Sequence, residues 1–402
     1  MPETFVHAHR HCAPGAAGDR PLRALLLPPG PALAERLRAA LDGAEHAVLP
    51  LPATLPDAAR HAALAALRPT HVETADGLRP HPGGLPVPAD VAVVVATSGS
   101  TGAPKGVQLT AAALRASATA SLRRLGARPG ARWLCCLPLD HVSGLQVLVR
   151  AALGGTEPIL HAAFSPRAVL DSGADYVSLV PTQLRRLLDE TGDLSGCPAI
   201  VLGGAAAAPG LLAAAREAGA RLVTTYGMSE TCGGCVYDGR PLYNVDLKIG
   251  DDGRIRIAGP MLFSGYRLRP DLTAAATEGD WFVTSDLGEL KDGRLRVLGR
   301  ADDVINTGGE KVVAGVVAEV LRAHPAVADV AVVGRPDPEW GEKVVAVAVP
   351  ADPAAPPTLE TLRALVKDRL PAHAAPKELL VLPRLPLLPN GKPDLQALRR
   401  AP

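Results

Sequence analysis

The richest run of phosphate-handling side chains is Thr97-Ser-Gly-Ser-Thr-Gly-Ala-Pro-Lys-Gly-Val107. Small residues at this density let backbone N–H groups approach a phosphate closely. Thr97, Ser98, Ser100 and Thr101 add hydroxyl donors, and Gly99 and Gly102 leave room for the ligand. Lys105 contributes a compact positive charge for the outer phosphates. Pro104 stands where a Walker A loop needs glycine before its lysine, so this is a phosphate cradle of another kind.

Other residues have the right chemistry for the same nucleotide. Glu230 offers a hard carboxylate for Mg²⁺, which prefers oxygen ligands and phosphate partners; its competing reading is a solvated acid at a helix start. Asp286 can accept both hydroxyls of a ribose; a turn-forming aspartate is the rival. Arg300 is suited to hold the same sugar or to form a surface ion pair. Lys392 sits in the stiff loop Pro389-Asn-Gly-Lys-Pro-Asp394, which can insert a cation where charge builds up during attack on a phosphate. Most lysines are simply solvated. Gly203-Gly204-Ala205 reads on its own as a strand-to-helix turn.

These residues need elements to hold them. Val91 to Ala96 is a run of β-branched and small residues typical of a buried parallel strand, and it leads into the phosphate loop. The reading extends that loop from Thr97 to Gly106, with Thr110 capping a helix to about Leu125. Upstream, Ala24 to Leu27 reads as a strand, Pro31 to Leu41 as a helix, and Arg79 to Pro88 as a connector. Strands at Arg132–Leu137, Tyr176–Val180, Ala199–Leu202 and Arg221–Thr225 alternate with helices at Val142–Leu153, Thr182–Leu188 and Leu211–Ala218. This alternation predicts an α/β fold with parallel sheets and helices on their faces. Beyond Pro241, short strands and the Asp252-Gly253 and Asp292-Gly293 turns predict a β-rich subdomain. A small mobile α+β domain is expected from 300 to 402, after a large N-terminal domain at 1–299.

Composition narrows the partners. Lys+Arg number 42 and Asp+Glu 41, so the net charge is +1, and no basic stripe interleaved with aromatics suggests nucleic acid. Aromatics are 3% of the chain, so the core is expected from small aliphatic side chains. The N-terminal stretch has no apolar core of a signal peptide, and no apolar run is long enough for a bilayer, which points to the cytoplasm and no membrane insertion. Cys232-Gly-Gly-Cys235 lacks the second ligand pair of a zinc site. The six cysteines read as reduced thiols.

Five segments in order resemble the motifs of the ANL superfamily of adenylating enzymes: the phosphate loop, Thr225-Tyr-Gly-Met-Ser-Glu230, Trp281-Phe-Val-Thr-Ser-Asp-Leu-Gly288, Gly299-Arg-Ala-Asp-Asp-Val-Ile305 and Pro389–Asp394. The resemblance implies ATP, Mg²⁺ and a carboxylic acid that becomes an acyl-AMP. It assigns Thr225, Tyr226, Gly227, Met228 and Ser229, with Gly203, Gly204 and Ala205, to the adenine side. It assigns Glu230 to magnesium, Asp286 and Arg300 to the ribose, Asp302 to the hinge and Lys392 to the α-phosphate. Three departures stand out: a short region before the phosphate loop, Ser229 where threonine is commoner, and Asn306 where many members carry lysine.

Leu137-Pro-Leu-Asp-His-Val-Ser-Gly-Leu-Gln-Val-Leu-Val-Arg150, with Val177–Leu184 and Gly259–Tyr266, resembles the o-succinylbenzoate–CoA ligases of menaquinone biosynthesis. That acid carries two carboxylates, one to be activated and one to be anchored. The resemblance makes His141, Ser143, Gly144 and Arg150 the acid-binding set, with Arg150 as the anchor. An ion pair with a neighbouring acid is the other reading of Arg150, and a structural histidine that of His141. Coenzyme A is the expected acceptor; a different acyl-CoA ligase, or an adenylation domain serving a carrier protein, stays open. So does a homodimer.

Overall fold

A computed structural model describes residues 18–97, 104–387 and 393–400. The phosphate-loop strand Val91–Thr97 lies inside a seven-stranded mixed sheet, between Lys105–Thr110 and Ala47–Pro50. With neighbours on both edges and cover on both faces, its side chains from Val91 to Val95 bury, Val91 through Val94 to 0% exposure. The sheet continues through Leu22–Leu25 and His71–Thr74 to Gly77–Pro80 at one edge, and ends at Gly265–Tyr266 at the other. The expected connector from Arg79 therefore begins as a hairpin strand, since Gly77–Pro80 pairs antiparallel with His71–Thr74.

A second seven-stranded sheet carries the β–α alternation. Ile159–Leu160, Trp133–Cys135, Tyr176–Leu179, Ala199–Leu202 and Leu222–Met228 run parallel, and Gly233–Tyr237 then turns back antiparallel. Local chemistry sets the helix ends. The Thr110 side chain accepts a hydrogen bond from the Ala113 N–H at 3.0 Å and starts the helix Ala111–Leu125, and left-handed Gly126 stops it. The helix Pro181–Thr191 opens on proline, with the Gln183 side chain accepting from the Val180 N–H.

The strands after Pro241 form a third, antiparallel sheet. Its longest member, Trp281–Lys291, returns as Arg294–Arg300 through Asp292 and Gly293, both with positive φ, as a two-residue hairpin turn requires. A fourth sheet combines Val304–Thr307, Glu310–Val313, Val327–Asp337, Gly341–Pro350 and Glu378–Val381 with the helices Ala314–Arg322 and Leu359–Arg369. Its core, from Ile305 to Ala375, is a hydrophobic cluster separate from the main one, which spans Leu25 to Leu295.

Arg267 ties the first sheet together. Its guanidinium is buried and donates to the carbonyls of Arg68 and Pro86 at 2.9 Å, while its own N–H donates to Gly106 O at 2.7 Å. Burial, with Arg68 nearby, pulls its pKa down to about 10. The segment around Tyr266 is thereby locked to the lysine end of the phosphate hairpin. No helix of the described residues is long and apolar enough to cross a membrane.

Candidate active site

Thr97 closes one strand and Lys105 opens the next, and the two face each other in the antiparallel register. Thr97 Oγ1 donates to Lys105 O at 3.4 Å. Ser98, Gly99, Ser100, Thr101 and Gly102 lie outside the described residues, as does Lys392. The expected loop ran to Gly106, but the strand already begins at Lys105. The Gly106 requirement is one of packing: a Cβ there would stand 2.7 Å from Leu67 and 2.9 Å from Val94. Lys105 thus projects from a hydrogen-bonded strand, and its Nζ lies 4.9 Å from the centroid of the Tyr266 ring.

Glu230 lies in the single 3₁₀ turn Ser229–Thr231 rather than at the start of a long helix. Thr231 closes the turn: its hydroxyl accepts from the Met228 N–H at 2.9 Å, and left-handed Cys232 ends it. Glu230 O accepts from the Phe263 N–H at 2.9 Å. One carboxylate oxygen, Oε1, accepts from the Tyr266 hydroxyl at 2.8 Å. Burial and that carboxylate push the Tyr266 phenol well above its ordinary pKa, so the hydroxyl stays a donor. No cluster of three or more His, Cys, Asp or Glu capable of holding a metal occurs among the described residues. This donor set fits magnesium, which takes one or two carboxylates and completes its shell with phosphate and water.

The expected ribose and adenine residues come together. Tyr226 donates through its hydroxyl to Asp286 Oδ2 at 2.8 Å. Arg300, the cross-strand partner of Asp286, brings its guanidinium within 3.7 Å of Oδ1. Burial works against the Arg300 charge, but Asp286, Asp302 and Asp303 outweigh it and raise its pKa. The Tyr226 phenol is raised by burial and by Asp286. The Thr284 hydroxyl, at 3.0 Å from the Asp286 N–H, fixes the backbone there. Behind this trio, Thr225 Oγ1 donates to Leu202 O at 3.1 Å and lies against Gly203, where a Cβ would meet it at 2.4 Å. Gly204 has φ +82°, and Ala205 follows in the same turn. Gly227 admits the returning strand: a Cβ there would be 2.0 Å from Gly233 O. Asp302 lies in the short 3₁₀ turn Ala301–Asp303 and accepts from Arg300 at 3.2 Å.

The acid-binding set is only partly assembled. His141 is the exposed N-cap of the helix Val142–Leu153 and makes no side-chain cap bond. Ser143 is half-buried two residues further on, within the first turn. Gly144 is needed for packing, since a Cβ would come within 2.2 Å of Pro138 O. Arg150 makes no ion pair with a described acid and lies in the core. It is 5% exposed, its guanidinium lies 4.5 Å over the Trp133 ring, and it donates to Ser178 Oγ at 3.0 Å and Ser121 Oγ at 3.3 Å. Helix geometry explains this placement: nine residues beyond His141, the side chain has turned from the helix mouth into the core.

Tyr266 was not among the residues singled out from the sequence, although it closes the Gly259–Tyr266 stretch. Its signal was the short strand Gly265-Tyr266, whose pairing with Gln108 and Val107 sequence periodicity alone does not reveal.

Two paired strands flanking the phosphate segment, a carboxylate linked to Lys105 through Tyr266 and a Tyr–Asp–Arg trio spanning the second and third sheets match one class of protein. The chain belongs to the AMP-binding enzyme family, whose model matches residues 31–267, with the AMP-binding enzyme C-terminal domain matching residues 307–392. Within it, the chain is 48% identical over 334 residues to the probable 2-succinylbenzoate–CoA ligase of Mycobacterium tuberculosis, covering 79% of this chain and 86% of that one. Among solved structures it is similar to the o-succinylbenzoate CoA synthetase of Bacillus subtilis in complex with the acyl-adenylate intermediate OSB-AMP. The TM-score is 0.82 at 30% identity, covering 96% of this chain and 89% of that one. The same synthetase in complex with ATP and magnesium ion gives a TM-score of 0.80 at 29% identity, covering 94% and 89%.

Proposed function

We propose that this protein joins o-succinylbenzoate to coenzyme A at the expense of ATP, by way of an acyl-AMP, as a step of menaquinone biosynthesis. The observation that carries the reading is the 48% identity to a probable 2-succinylbenzoate–CoA ligase over most of both chains. The site geometry supplies the chemistry. In the first half-reaction a carboxylate oxygen attacks the α-phosphorus of ATP and pyrophosphate leaves. In the second, the coenzyme A thiol attacks the acyl carbon and AMP leaves with the oxygen it received.

The hydroxyls of Thr97 to Thr101 and Lys105 hold the phosphates, and Asp286 with Arg300 holds the ribose. Tyr226 and the Gly203–Ala205 turn border the adenine. Glu230 would hold magnesium, which when bound neutralises phosphate charge and orients the triphosphate. Lys392 meets the α-phosphate during attack. His141 and Ser143 border the acid at a helix N-terminus, an end that favours negative charge. The small domain, 300–402, hinges at Asp302 on the large one, 1–299. This division is supported by hydrophobic clusters that do not cross the Leu295–Ile305 interval. A cytoplasmic enzyme is in keeping with the five cysteines among the described residues, which are buried and unpaired.

The test is a screen of pyrophosphate release and thioester formation across acids, with and without coenzyme A. The expected result is thioester formation with o-succinylbenzoate at least ~10-fold more efficient in kcat/KM than with benzoate or medium-chain fatty acids. Preference for a monocarboxylate, or acyl-AMP that coenzyme A does not consume, contradicts it.

A further inference from the structure

The charged groups proposed to meet the triphosphate come from distant parts of the chain. Lys105 lies on the first sheet, and Glu230 lies in the turn after the last parallel strand of the second. One short segment, residues 263–267, touches both. The Phe263 N–H donates to Glu230 O at 2.9 Å, the Ser264 N–H to Gln108 O at 3.0 Å and the Arg267 N–H to Gly106 O at 2.7 Å. Between these anchors stands Tyr266, 8% exposed, with its N–H donating to Thr273 Oγ1 at 2.9 Å and its ring edge-on to Phe263 at 4.9 Å.

The side chain is therefore fixed at both ends before it reaches Glu230. A carboxylate on a single 3₁₀ turn has free χ angles and would otherwise sample several directions. The phenol removes that freedom by donating to Oε1 at 2.8 Å, leaving Oε2 without a partner among the described residues. The ring face below Lys105 is a separate contact, which phenylalanine would keep. We propose that Tyr266 is a positioning residue for the metal–triphosphate centre, its hydroxyl orienting Glu230 so that one carboxylate oxygen is presented to the metal that ATP brings. This inference rests on the adenylating reading above.

The measurement is equilibrium binding of ATP by calorimetry, without acid or coenzyme A, once with excess Mg²⁺ and once with EDTA. Tyr266→Phe should weaken binding of the magnesium form about tenfold and leave metal-free ATP within about twofold, the scale of one hydrogen bond to a charged group. In a Glu230→Gln background the same substitution should have no further effect, because its action runs through Glu230. KM for the acid should not move. Equal weakening of both forms of ATP, no weakening of either, or an undiminished effect in the Glu230→Gln background would overturn the proposal. The ring and its packing survive the substitution, so the melting temperature should stay within about 3 °C of the parent. A variant that fails to fold would also contradict it, since a hydroxyl that only orients Glu230 does not hold the fold. A parent protein that binds neither form of ATP would instead refute the adenylating reading itself.

Discussion

Arg150 carries a charge into the core, and no carboxylate among the described residues meets it. Burial lowers its pKa, and its compensation comes from the hydroxyls of Ser121 and Ser178 and the Trp133 face. Trp133 is in turn stacked on Tyr176 at 4.6 Å. Arg150 thus joins two helices and two strands through one planar group. Truncation to alanine should cost about 2–4 kcal/mol, from lost packing and unpaired hydroxyls. Arg150→Met, which keeps the stem and removes the buried charge, should cost clearly less. Urea unfolding checks both. If Arg150→Ala instead leaves stability unchanged and selectively raises KM for the acid, Arg150 is the carboxylate anchor after all. The donor or acceptor chemistry of Glu230, Asp286 and Arg300 was legible in the sequence, whereas Tyr226 came only with the family resemblance. The direction of Arg150 was not legible, since one helix face is told from another only by what packs there.

At the scale of elements, the helices Pro31–Leu41, Ala111–Leu125 and Val142–Leu153 have the bounds expected from their caps and periodicity. The strand Lys105–Thr110 was missed because its glycine and polar residues continue the composition of the loop before it. Its pairing with Val91–Thr97 is a long-range fact of the sheet, not a local preference. Gly315 lets the helix Ala314–Arg322 approach the strand Arg294–Arg300, where a Cβ would stand 2.3 Å from Leu298 O. Across the junction runs an exposed ion pair, Arg296 with Glu319 at 2.8 Å. Such a pair is worth about 0–1 kcal/mol, too little to prevent rotation. If the small domain alternates, Lys392 serves only one half-reaction. Lys392→Ala should lower acyl-AMP formation by roughly 100-fold or more, while thioester formation from pre-made acyl-AMP stays within several-fold of the parent. Equal loss in both half-reactions would contradict alternation.

For the molecule as a whole, the class of fold was legible because the β–α alternation and the later hairpins write different periodicities into the chain. Less legible was how the three sheets meet, since that depends on contacts such as Tyr266–Glu230 and Tyr226–Asp286, each made between residues far apart in the chain. Activation of the acid on the α-phosphorus of ATP can be read by following its oxygen. With o-succinylbenzoate labelled with ¹⁸O in its carboxylates, ATP and coenzyme A, one labelled oxygen should appear in AMP as the thioester forms, and none in pyrophosphate. Label in inorganic phosphate with release of ADP, or thioester formed with unlabelled AMP, would contradict the account.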